Sequence, residues 1–203
     1  MNYFQVGNLT VPATWIAVLA ALIFASILNR LLGYKKVSDW YGNSFFLYFV
    51  IWKLSYILFN IEMFINVPLS IIYFNGGVNG QLLALIFLSF YLLFIAPNKY
   101  PSIHIESPGI FLLFYFSYEV ILNIIVKDYL GLLILSLPLI TLLFILKNRK
   151  KLVSSQLFIL LMLLEILFIS LFGTLLSIET LSFIWIGIII FIISRKQGDQ
   201  LLE

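Results

Sequence analysis

Seven long apolar runs, separated by short segments that hold most of the lysine and arginine, constrain this chain more than any single residue does. A helix crossing the hydrocarbon core of a bilayer needs about 20 mostly apolar residues, with a range of about 17–25. The runs cover 10–28, 44–60, 81–96, 109–126, 129–146, 152–176 and 181–194. Composition agrees: 63% of residues are hydrophobic and 10% charged, where a soluble domain has about 45–50% and about 25%. Mean hydropathy is +1.10. A membrane barrel would show alternating segments of about ten residues, and the runs do not alternate. The expected fold is an all-α polytopic membrane protein, one transmembrane domain over 1–203, with no repeat or linker dividing it.

The loops predict an orientation, because short cytoplasmic loops accumulate lysine and arginine. With the N-terminus outside and seven crossings, the inner segments hold Arg30, Lys35, Lys36, Lys99, Lys147, Arg149, Lys150, Lys151, Arg195 and Lys196, ten of the twelve basic residues. Only Lys127 falls outside, and Lys53 lies within a run. The stretch 61–80 carries Glu62, Asn66, Pro68, Asn75, Gly76, Gly77, Asn79 and Gly80, and is expected to be an interfacial arm at the outer face. Pro12 is expected in the first turn of the first span, where a missing N–H is harmless. Pro97 should stop the third span, 98–108 should be a loop, Lys127 and Asp128 a tight turn, and Pro138 a kink. The segment 1–7 lacks the positive region of a cleavable signal, so the first run is expected to stay in the mature protein.

Some chemistry is excluded. The chain has no cysteine, which removes thiol nucleophiles and thiolate metal sites. His104 is the single histidine, so a metal site there is not expected. No basic face offers itself to nucleic acid, and no cofactor is implied.

Lys53 is the sharpest candidate. A charged group at membrane depth costs about 2.5–3.5 kcal/mol on insertion scales. It sits near the middle of the second run, far from either surface for snorkelling. Glu119 and Glu165 are expected at similar depth on the fourth and sixth runs. Three readings stand side by side: an ion pair that fixes helix packing, a pocket for an anionic head group with a glutamate as base, and a lysine that faces a lumen or a partner protein. Tyr56, three residues after Lys53, shares its helix face and could orient a phosphate. Asn123 could hydrogen-bond Glu119. Gly76, Gly77 and Asn79 are head-group candidates, although a glycine pair also suits a re-entrant turn.

The order of features resembles the bacterial prolipoprotein diacylglyceryl transferases. Phe4-Gln5-Val6-Gly7 followed by Val11-Pro12-Ala13-Thr14-Trp15 is similar to the family's start. Lys53-Leu54-Ser55-Tyr56-Ile57-Leu58-Phe59 resembles its Arg-hydrophobic-Gly-Tyr-Val-Leu-Phe pattern, and Pro68-Leu69 with Gly76-Gly77 resembles its arm. The likeness covers 4–80 and is topological afterwards. It implies a seven-span, N-out protein of the bacterial plasma membrane. It also implies transfer of a lipid group from a phosphatidylglycerol-like phospholipid to a lipoprotein precursor, with Lys53, Tyr56, Glu119 and Glu165 as catalytic candidates. The chain departs from the family where chemistry is done. The histidine expected after the double glycine is replaced in Val78-Asn79-Gly80-Gln81. The fourth-span arginine is missing from Phe116-Ser117-Tyr118-Glu119-Val120-Ile121, and the sixth-span arginine from the run with Glu165 and Gly173. Lysine for arginine on the second span loses bidentate phosphate contact. The sequence therefore supports two functions: a transferase with a rebuilt site, or a non-catalytic protein of the same fold that binds lipid or lipoprotein.

Overall fold

A computed structural model describes residues 3–6, 9–149, 153–172 and 176–200. An antiparallel hairpin, β1 (Tyr3–Val6) and β2 (Leu9–Pro12), pairs Tyr3 with Pro12 and Val6 with Leu9. The helices follow: α1 (Ala13–Leu31), α2 (Trp40–Phe59), α3 (Ile61–Asn66), α4 (Ser70–Tyr73) and α5 (Gly77–Phe90). A π-turn, Tyr91–Ile95, joins α5 to α6 (Ala96–Lys99). The chain ends in α7 (Ile103–Val126), α8 (Tyr129–Arg149), α9 (Ser155–Phe172) and α10 (Ile178–Gln200). Six helices are long and apolar enough to cross a membrane: α1, α2, the continuous Gly77–Lys99 rod, α7, α8 and α10. Helix α9 is apolar but is not among these six; it has 18 residues, about 27 Å at 1.5 Å per residue. Gly7, Lys150, Lys151, Leu152 and Gly173 lie outside the described residues.

The apolar runs match helices, but several boundaries differ from expectation. Pro12 closes β2, one residue before α1, and so is not in the helix. The third span starts at Gly77, four residues before Gln81, and passes through Pro97 to Lys99. Proline removes an N–H and collides with the carbonyl one turn earlier. The wider π-turn immediately before Pro97 accommodates it. The expected loop 98–108 shrinks to Tyr100–Ser102, because α7 already begins at Ile103 and contains Pro108. Burial overrides the proline: Ile103 and Ser107 are fully enclosed, Glu106 accepts from the Ser38 and Trp40 side chains, and His104 Nδ1 lies 2.8 Å from the Ile193 carbonyl. The last span likewise begins at Ile178, three residues before the expected start at 181.

Helix ends show why the remaining breaks fall where they do. Lys127 takes a left-handed φ of 61°, a conformation that caps helix ends. Asp128 Oδ1 then accepts from the Gly131 N–H to start α8. Ser154 and Ser177 Oγ accept from the amides of Leu157 and Thr180 to start α9 and α10.

The core is built on α7, half of whose apolar window is buried. It packs on α1, α8, α10 and α9, while α2 packs on α5. On α1, Ala13, Ala17, Ala21 and Ala25 are all buried, one per turn, so small side chains bring its backbone close to α7.

Long-range bonds show which helix ends lie together. At one end, Tyr34 Oη donates to the Leu146 carbonyl at 3.3 Å. Burial pushes the Tyr34 hydroxyl above its ordinary range. Asn43 Nδ2 donates to Tyr100 Oη at 3.1 Å at this same end. This end carries Arg30, Lys36, Lys99 and Lys147. At the other end, the Trp52 indole donates to the Gly77 carbonyl at 3.2 Å and Gln81 Nε2 to Ser182 Oγ at 2.8 Å.

Candidate functional site

Helices α1 and α2 follow each other in sequence but scarcely touch, because α1 is held by α7 and α2 by α5. A lateral cleft of about 280 Å³ fills the gap, with α10 at its back. Its walls are almost wholly apolar: Val18, Leu19 and Leu22 from α1, Phe45 and Phe49 from α2, and Phe114 and Phe183 from α7 and α10. Three of the four tryptophans, Trp15, Trp40 and Trp52, also line it. Trp15 and Trp52 meet edge to face with centroids 5.0 Å apart, bridging α1 and α2 at the end of the cleft away from the basic residues. Polar atoms gather near that end: Tyr48, Tyr118, Gln81, Ser182 and the carboxylate of Glu179.

Lys53 is not among the cleft residues. Its Nζ donates to the Ile72 carbonyl in α4 at 2.9 Å, so it serves the arm and not a shared interior with the glutamates. Tyr56 shares that face, as its spacing predicts. Its hydroxyl donates to Ser70 Oγ at 3.0 Å and its ring stacks on Phe74 at 5.8 Å. Both side chains therefore pin the arm to α2. The arm itself is two short helices, α3 and α4, with Ile61, Met63, Ile65, Leu69, Ile72 and Phe74 exposed. Helices of six and four residues cannot span, and such an apolar exterior suits the bilayer interface.

Gly76 and Gly80 are buried against Ser55 of α2, where a Cβ on either would collide with Ser55 Oγ. The Gly76 N–H donates to the Trp52 carbonyl at 3.1 Å. Their GxxxG spacing brings two membrane helices into close approach. Gly77 takes φ +60° at the start of α5, with its N–H on Asn75 Oδ1. Asn79 is exposed.

Glu119 on α7 and Glu165 on α9 lie on helices that pack together. Each bears electrostatically on Tyr115, and Glu119 on Glu165. Glu165 is fully buried, and neither of its oxygens has a hydrogen-bond partner among the described residues. The Tyr115 hydroxyl is buried and likewise unpartnered. Asn123 does not serve the Glu119 carboxylate: its Nδ2 donates to the Glu119 backbone carbonyl at 2.8 Å.

The cleft itself escapes a sequence reading, because its aromatics are spread over α1, α2, α7 and α10. The alanine spacing on α1 is the one signal that could have shown which face of α1 packs and which is left free. Compared with models of protein families, with curated proteins and with solved structures, the chain matches none.

Proposed function

We propose that this is a multi-pass membrane protein that binds a membrane amphiphile, without catalysis, in the cleft between α1 and α2. The observation that carries this reading is the cleft: an aromatic, apolar-walled cavity at the side of a helix bundle, where an acyl chain can enter from the bilayer. Pockets of this kind, with few polar groups at one end, are the usual form of small-molecule sites. The reading includes α9 as a seventh crossing, an N-out and C-in orientation following the positive end of the bundle, and residence in a bacterial plasma membrane, with a phosphatidylglycerol-like phospholipid or a lipoprotein's lipid as ligand. Native mass spectrometry of the detergent-purified protein tests it. The wild type should retain phospholipid, and Val18→Phe/Leu22→Phe, which fills the cleft, should lose most of it while remaining monodisperse. Equal retention by both proteins would contradict the reading.

The transferase reading, with Lys53 on phosphate and Glu119 or Glu165 as base, has one observation in its favour. Glu165 is a buried carboxyl with no donor committed to it among the described residues, and it bears electrostatically on Tyr115. A general base needs such an uncommitted group. Liposomes containing phosphatidylglycerol, given a lipobox peptide, decide between the two. The lipid-binding reading expects no diacylglyceryl mass gain, and a gain lost in Glu165→Gln would replace it with the transferase.

A further inference from the structure

A second cavity, of about 830 Å³, opens at the basic end of the bundle between α1, the segment that links it to α2, and α6. It shares Leu22, Tyr41 and Phe45 with the apolar cleft, so the two adjoin along these side chains. Arg30, Lys36 and Lys99 line it, each exposed and none in an ion pair among the described residues. Lys99 also lies over the Tyr100 ring at 5.4 Å. Asp39 is the single carboxylate in the lining, so positive charge is in excess.

The three cations come from separate segments that the fold ties together. The Asn29 side chain donates to the Lys35 carbonyl at 3.0 Å, which sets the turn before Lys36. Glu106 on α7 accepts from the Ser38 N–H and hydroxyl, each at 3.1 Å, fixing the strand of loop that follows. Asn43 reaches Tyr100, next to Lys99. The arrangement suits an amphiphile: an apolar slot for a chain, with a group of exposed cations lining the cavity that adjoins it. Guanidinium and ammonium groups between membrane helices suit a phosphate.

We infer that the ligand of the cleft is an anionic phospholipid whose phosphate rests on Arg30, Lys36 and Lys99 at the basic end, with an acyl chain in the aromatic slot. This rests on the lipid-binding reading, chooses the anionic phospholipid from its two ligands, and adds the position of the head group. It places the head group away from Lys53, at the opposite end of α2. A free phosphate would leave the slot empty, so the lipid is the source chosen.

The test uses the full chain in detergent with an equal mixture of phosphatidylglycerol and phosphatidylcholine of identical acyl chains, read by native mass spectrometry. The wild type should retain the anionic lipid over the zwitterionic one by about tenfold, the scale set by a few cations near a phosphate. Arg30→Gln/Lys36→Gln/Lys99→Gln should bring the ratio near one without reducing phosphatidylcholine retention. Lys35→Gln/Lys147→Gln, which removes positive charge at the same end but outside the cavity, should leave the ratio unchanged. A preference that survives the triple variant, or that the control pair abolishes equally, overturns the assignment. A wild type with no preference, but whose lipid is lost in Val18→Phe/Leu22→Phe, would overturn the head-group site and leave the cleft. Lipid retained in that filled variant would overturn the cleft itself.

Discussion

At the scale of single residues, the polar groups inside the bundle divide into those that hold structure and those that are free. Lys53 and Tyr56 belong to the first class, since both bond α4. Tyr56→Phe removes one hydrogen bond and should cost about 0.5–1.5 kcal/mol. Lys53→Met should free the arm further. A spin label on Met63→Cys, in a chain with no other cysteine, should become measurably more mobile in both variants. An unchanged spectrum would remove the arm-holding role. Glu165 belongs to the second class. A buried carboxyl without partners is costly, so Glu165→Met should raise the melting temperature in detergent, and a fall would point to a partner that the carboxyl needs. The i,i+3 relation of Lys53 and Tyr56 was legible in the sequence. Their partner was not, because the arm's return onto α2 depends on where a carbonyl at Ile72 arrives in space. An interior shared by Lys53, Glu119 and Glu165 was one expectation, but the turn of Lys53 toward the arm depends on helix rotation, which apolar runs do not encode.

At the scale of elements, close packing is set by small residues. Gly80→Leu should force α5 away from Ser55 and destabilise the fold by about 1–3 kcal/mol, the usual cost of overpacking. The milder Gly80→Ala should be partly rescued by Ser55→Gly, because the clash is with the Ser55 side chain. Thermal unfolding of the single and double variants measures this, and additive losses would show that the two sites do not meet. Ala21→Leu on the buried alanine row of α1 should destabilise on the same scale through the α7 contact, whereas Ile23→Leu on its exposed face should be near neutral. Element existence was readable from apolar length, and the boundary errors have definite causes. Pro97 looks like a stop until a π-turn accommodates it, and Pro108 looks like loop until the burial of Ile103 and the anchoring of Glu106 extend α7 past it.

At the scale of the whole molecule, the account rests on two groups of helices that leave a gap. One group is organised on α7 and the other pairs α2 with α5, so the chain's first two helices frame an opening. Charge, small-residue rows and apolar length were all present in the sequence, but the opening arises only when the rows decide which helices embrace. Trp40 offers the most direct view of it. Its side chain is 3% exposed and yet lines the cleft, so a bilayer lipid meets it best from within. The decisive measurement is fluorescence of a variant that keeps Trp40 alone, with Trp15, Trp52 and Trp185 changed to Phe, in vesicles of acyl-brominated phosphatidylglycerol. The account predicts strong, saturable quenching of Trp40, largely removed when Val18→Phe/Leu22→Phe is added. Quenching that is weak, or equally strong with the cleft filled, would contradict the claim that lipid occupies the space between α1 and α2.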